Sequence, residues 1–438
     1  MYKPFVFFGL IMKFFFNCPS MAVLIIVNAA AVSAQTPDCY ATRADVATVR
    51  LTAAGRLHDR PVVDLGSGQE LDLSFDMIDA DVRTLYYSFA LCNADWSPSD
   101  LLEIEYVAGI NRFYGAESAA LSFNTTTDYV HYDLTVGTDA LLLSGNYLVS
   151  VYSDDDGGTL LLRRPFCVTE KLVGIDSRIF ASTASGRLST QKIQFTVRYA
   201  DLRITDPHSE IAVRVEQNGR TDNCLTGLTP TFVRSGELVY DAPAACLFEG
   251  GNEFRWLDTR SIRATPPGVQ SIEYHEPYYH FELYPDGLRT AYSFYNDING
   301  SYALRAYNVD ADRTDTEADY VFVHLTYTPE PEAAASEIYV VGALTDWQLS
   351  ASNRMTPSAD GSVHRLTLRL KQGYYNYMYV SRNARTGAVS VQPVEGSFEQ
   401  TENDYYIFVY YRPLSGRSDR LAGFVKVNSQ NAGQRFIH

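Results

Sequence analysis

The sequence predicts an all-β protein, a multi-domain chain of immunoglobulin-like β-sandwiches with little helix after its leading segment. Three observations lead there. Apolar residues recur at every second position along most of the chain, short Gly-containing turns punctuate those runs, and 31 tyrosines supply rings that suit a strand face part buried and part wet. A length of 438 residues exceeds what one hydrophobic core accommodates, so several domains are expected.

Residues 1–34 read as a signal peptide. Lys3 and Lys13 supply positive charge, an apolar run follows from Met21 to Val32, and Val32-Ser33-Ala34 offers small residues for cleavage before Gln35. A start at Met12 gives the same kind of segment. Neither Cys18 nor Cys39 follows a small residue, so lipid attachment is not expected, and no later run reaches the ~18 apolar residues of a spanning helix. Export without direct membrane insertion is the expectation.

The strands then follow in order. A first module over residues 40–170 carries the alternations Leu71, Leu73, Phe75; Leu85, Tyr87, Phe89, Leu91; Val130, Tyr132, Leu134, Val136; and Tyr147, Val149, Val151. Gly66-Ser67-Gly68 and Ser144-Gly145-Asn146 mark its turns. The polar stretch Ser182 to Gln191 leads into the strands of a middle module over 171–315, which includes Ile211, Val213 and Val215. The charged segment Asp310 to Asp319 marks the next junction. A C-terminal module over 318–425 holds Leu366, Leu368, Leu370; Tyr375, Tyr377, Tyr379; and Ile407, Val409, Tyr411. Short strands at this spacing favour sandwiches over barrels.

Charge narrows the function. A formal net charge of −16 makes nucleic acid a poor partner, because phosphate affinity comes from Lys and Arg, and losing Lys3 and Lys13 makes the rest more acidic still. The eight histidines show no ligand spacing, and the chain lacks GxSxG, GxxxxGK[ST] and strand-linked GxGxxG motifs. No metal, cofactor or small-molecule substrate is therefore expected. Carboxylate pairs such as Glu273 with Glu276, or Glu253 with Asp258, are formally compatible with glycoside hydrolysis, but in an acidic β protein such residues read as solvated faces and turn formers. A non-catalytic binding protein is the expectation.

Five cysteines follow the leading segment: Cys39, Cys92, Cys167, Cys224 and Cys246. None shows CxxC spacing, and the odd number leaves at least one thiol unpaired. The expected disulfide joins Cys224 to Cys246, on adjacent strand-like segments. Three further places stand out. In Cys92-Asn93-Ala94-Asp95-Trp96-Ser97, Asn93 and Asp95 suit a turn that bonds its own backbone, while Trp96 suits either the edge of a core or a partner contact. Asp258 and Arg260 share one strand face and suit an ion pair. Trp347 sits in a turn discussed next.

From Ile338 the chain runs through Gly342-Ala343-Leu344-Thr345-Asp346-Trp347 to Gly373-Tyr374-Tyr375-Asn376-Tyr377-Met378-Tyr379-Val380. This order resembles the glycogen-binding, early-set immunoglobulin-like modules, in which sugar stacks on two tryptophans and contacts a lysine. Trp347 fills the first position, Met378 stands where the lysine would be, and no tryptophan follows Trp347. The resemblance therefore supports the fold more than sugar binding, and a glycan-binding protein stands as the alternative function.

A second resemblance spans residues 40 to 425. The phrases Cys92-Asn93-Ala94-Asp95-Trp96, Ser122-Phe123-Asn124-Thr125-Thr126, Leu143-Ser144-Gly145-Asn146-Tyr147, Asn252-Glu253-Phe254-Arg255, Asp258-Thr259-Arg260-Ser261, Asp297-Ile298-Asn299-Gly300 and Thr401-Glu402-Asn403-Asp404-Tyr405 together resemble the type IX secretion system plug protein family of Bacteroidota. Leu91 departs from the polar or histidine residue expected before Cys92, and Cys167, Cys224 and Cys246 are extra. Membership would imply a periplasmic protein that caps the mouth of a large outer-membrane translocon β-barrel when no substrate is passing.

Overall fold

A computed structural model describes residues 39–431, apart from 54, 55, 57, 58, 79, 80, 116, 156, 183–188, 200, 201, 243, 244, 332, 334 and 335. The signal peptide expected at 1–34 lies outside the described residues. The protein is an all-β, multi-domain chain whose few helices, among the described residues, are single turns of three or four residues.

The first eight strands are β1 (Val46–Ala53), β2 (Val62–Asp64), β3 (Leu71–Ile78), β4 (Leu85–Cys92), β5 (Glu117–Leu121), β6 (Tyr129–Val136), β7 (Gly145–Ser153) and β8 (Thr159–Thr169). They form two sheets, ordered β1-β3-β6-β5 and β2-β8-β7-β4, with β2 and β8 parallel. The period-two pattern explains why they face each other. Leu71, Leu73, Phe75 and Met77 of β3 meet Tyr87 and Phe89 of β4 and Tyr147, Val149 and Val151 of β7 in one buried core.

Next come β9 (Gly174–Ser182), β10 (Thr190–Arg198), β11 (Ile211–Gln217), β12 (Phe232–Arg234), β13 (Glu237–Tyr240) and β14 (Leu247–Glu249). They are followed by β15 (Arg255–Asp258), β16 (Val269–His275), β17 (Tyr278–Leu283), β18 (Asp286–Gly287), β19 (Tyr302–Leu304), β20 (Tyr320–Thr328), β21 (Glu337–Val341), β22 (Thr356–Pro357), β23 (His364–Lys371), β24 (Gly373–Arg382) and β25 (Val389–Ser390). The last two are β26 (Asp404–Tyr411) and β27 (Arg420–Asn428).

Pairing does not follow the linear partition expected at 171–315 and 318–425. Strand β26 pairs with β11 on one side and β27 on the other, so the C-terminal hairpin completes the middle sandwich. That sheet faces β12-β13-β10-β14 across a core of Ile193, Phe195, Val213, Val215, Tyr405, Ile407 and Val409. Conversely, β15 and β19 pair with β24, and β16 and β17 join β20, so residues 255–304 belong to the third sandwich. Its core gathers Phe281, Val321, Val323, Leu325, Val340, Tyr375 and Tyr379.

The reason is visible in β26, whose sequence DYYIFVYY is buried at every position. A strand with two apolar faces must be covered twice. Tyr405, Ile407 and Val409 point into the middle core, while Tyr406, Phe408 and Tyr410 pack with Trp96, Leu148 and Cys167 of the first sandwich. The first and middle sandwiches therefore stack as four consecutive sheets.

Candidate functional site

Among the described residues no three metal-ligating side chains converge. Chemistry-bearing groups gather instead where sandwiches meet, and of the sequence-derived candidates Asn93, Asp95, Trp96 and Trp347 fall on those joints.

The turn after β4 is built as its residues suggest. Asp95 Oδ1 accepts from the backbone N of Ser97 at 2.9 Å and its hydroxyl at 2.6 Å, and Trp96 adopts φ 66°. Burial pulls the Asp95 carboxyl upward, but the Ser97 bonds outweigh it and hold it below its usual pKa. The left-handed backbone at Trp96 turns the ring inward, leaving it 6% exposed beneath the C-terminal hairpin. Asn93 finishes the clamp. Its Oδ1 accepts from Arg412 Nη2 at 2.8 Å, the backbone N of Ala94 donates to Asp419 at 2.8 Å, and Arg412 Nε donates to the same carboxylate at 2.7 Å. Trp96 is thus an internal anchor between the first sandwich and β26–β27.

A second joint connects the first and third sandwiches. Asp76 lies on the outward face of β3 beside His131 of β6, and both it and Lys371 of β23 are wholly buried. Asp76 Oδ2 accepts from Lys371 Nζ at 2.7 Å and from the Tyr320 hydroxyl at 2.6 Å, while Oδ1 lies 2.6 Å from His131 Nδ1. Lys371 also donates to the Asp315 carbonyl at 2.6 Å. Burial raises the Asp76 pKa, yet His131 and Lys371 outweigh it and hold the carboxyl below its usual value. Burial lowers the His131 pKa, but Asp133 and Asp76 push it up to about 9. Burial also draws Lys371 down in spite of Asp76.

Trp347 marks the third joint. Asp346 and Trp347 have φ 51° and 59°, which turns the indole onto Phe254, edge-on at 5.8 Å between ring centroids. Gly300, at φ 76°, is required beneath it, since a Cβ there would stand 2.2 Å from the indole. Asp346 reaches back to Arg164 of the first sandwich at 3.0 Å. Met378 is buried and its sulfur accepts from Arg220 Nη1 at 3.6 Å. The indole is half-buried packing in a joint.

Asp258 and Arg260 pair at 2.6 Å, and the guanidinium also lies over the Tyr307 and Tyr374 rings at 4.7 and 5.3 Å. Glu273 lies on an exposed strand and contacts His275 at 3.1 Å, whereas Glu253 accepts from the Tyr292 hydroxyl at 2.7 Å. The expected Cys224–Cys246 disulfide is not formed. Both are free thiols, Cys246 is packed in the middle core with Ile193 and Phe248, and burial pushes its pKa up to about 11. Cys224 lies instead near Arg214, on the opposite face of β11 from that core.

Sequence reasoning missed Asp76, His131, Lys371, Arg164 and Arg412. In the one-dimensional pattern they read as outward, solvated strand positions, and the sheet that covers them comes from hundreds of residues away.

The family model of the type 9 secretion system plug protein 1st domain matches residues 46–170, the whole first sandwich from β1 to the end of β8. Among solved structures, the crystal structure of a hypothetical protein from Parabacteroides merdae ATCC 43184 superposes with a TM-score of 0.82 at 30% identity, covering 88% of this chain and 98% of that one. No curated protein matches.

Proposed function

Because the chain belongs to the type 9 secretion system plug protein family, we propose that it acts as a periplasmic, non-catalytic plug that caps the periplasmic opening of the outer-membrane translocon barrel between substrates. The family match over the entire first sandwich carries the reading.

The architecture suits that task. A pore cover must be a stiff body with a broad outer surface, and chemistry in its interior is not needed. Here buried polar and ionic contacts join sandwiches: Asp76 with Lys371, Asn93 with Arg412, and Arg164 with Asp346. The partner in this reading is the barrel itself, met through a wet and reversible contact, since a cover has to leave when cargo arrives.

The test is extraction of outer membranes in mild detergent from a strain that has the translocon, with an affinity tag on this protein. Co-purification of a large barrel, together with entry of large solutes when the gene is deleted, is the expected result. A strain that retains its barrier after deletion and yields no barrel with the tagged protein would refute the proposal.

A further inference from the structure

Between the first sandwich and the β11-β26-β27 sheet lies a small cavity whose largely apolar wall, which includes Trp96, Phe166 and Phe408, also carries Arg60, Cys167, Arg214, Glu216 and Tyr410, with room for a single water-sized occupant. Its charges do not balance. Glu216, 1% exposed, is the one carboxylate of the wall. Its Oε2 accepts from Arg60 Nε at 2.9 Å and Nη2 at 2.6 Å, and its Oε1 accepts from Arg214 Nε at 2.7 Å. Arg60 spends Nη1 on the Tyr40 hydroxyl at 3.1 Å. Arg214 is 6% exposed, and its Nη2 is enclosed with no hydrogen-bond partner among the described residues.

The neighbouring acids do not supply the missing negative charge: Asp346 is paired with Arg164 at 3.0 Å and Asp222 with Arg220 at 2.6 Å. Burial pushes the Cys167 thiol up to about 12, and it likewise raises Tyr40, Tyr410 and Cys224, so all four are neutral at physiological pH. Two guanidinium cations thus share one carboxylate in a place where an uncompensated charge is strongly disfavoured and an idle donor is costly. A water molecule would satisfy the donor and leave the charge. A tetrahedral oxyanion exceeds the space.

We propose that this cavity is a binding site for one small monovalent anion of the halide class, chloride in ordinary media, held by Arg214 Nη2 between the two arginines. The ion would neutralise the Arg60-Glu216-Arg214 cluster and so tie the first sandwich to the strand pair β11–β26. This inference is independent of the plug reading.

The test uses the full chain. Crystals soaked in sodium bromide are expected to show an anomalous peak within hydrogen-bond distance of Arg214 Nη2. The thermal midpoint is expected to rise with chloride concentration when gluconate keeps ionic strength constant, and Arg214→Met should abolish both effects. The proposal requires the peak and the chloride-specific rise together in the unaltered protein, so it does not depend on whether the variant folds. A peak without the rise is an adventitious ion only and overturns it. So does an absent peak, which would leave water as the occupant.

Discussion

Lys371 and Asp76 are wholly buried partners, and replacing one of them should cost more than replacing both. Lys371→Met leaves the Asp76 carboxylate with His131 and the Tyr320 hydroxyl as its remaining partners and is expected to lower stability by roughly 3 kcal/mol in denaturant unfolding. Asp76→Asn combined with Lys371→Met should recover part of that loss. His131 adds a pH dependence. Its folded pKa of about 9 lies above the ordinary value, so its stabilisation is complete below about pH 6.5 and disappears as pH rises through 9. The difference in unfolding free energy between wild type and His131→Gln should therefore shrink by about 3 kcal/mol from pH 6 to 10. A difference that stays flat would mean that folding leaves the imidazole pKa unshifted. Little of this cluster was legible beforehand, because Asp76 alternates with Leu73, Phe75 and Met77 as any solvated strand residue would. The Asp95 turn was more legible, since an aspartate two residues before a serine bonds it locally wherever the strand is placed.

At the level of elements, alternation located the strands and said little about what covers them. For β3 one apolar face is enough to predict one core, and Leu71, Leu73 and Phe75 are in it. For β26 the unbroken run of aromatic and branched residues signals two covered faces, a feature that reading only Ile407, Val409 and Tyr411 overlooks. Trp96 lies under the second face. Trp96→Ala is expected to cost roughly 3–5 kcal/mol, and limited proteolysis should then cut first near the β26–β27 hairpin. Gly300 is a second test at this scale. Ala there meets both a left-handed backbone and the Trp347 ring, so a loss of at least about 2 kcal/mol is expected, and a neutral substitution would show that the Trp347 turn is not held as described.

For the whole molecule, linear order and spatial order disagree most in the middle sandwich. Its first strands occur near residue 174, and the hairpin that closes it ends at residue 428. A growing chain can complete the first sandwich once Thr169 has emerged, since β1 to β8 are contiguous, but Ile193 and Phe195 face only β11 until β26 and β27 appear. Assembly must wait on the last elements to be made, a delay of the kind that long-range pairing imposes. Chains ended near residue 400 would strand an open apolar sheet beside an otherwise finished neighbour, and they should be cleared by proteases or aggregate at a point where a shorter piece ending near residue 170 would persist.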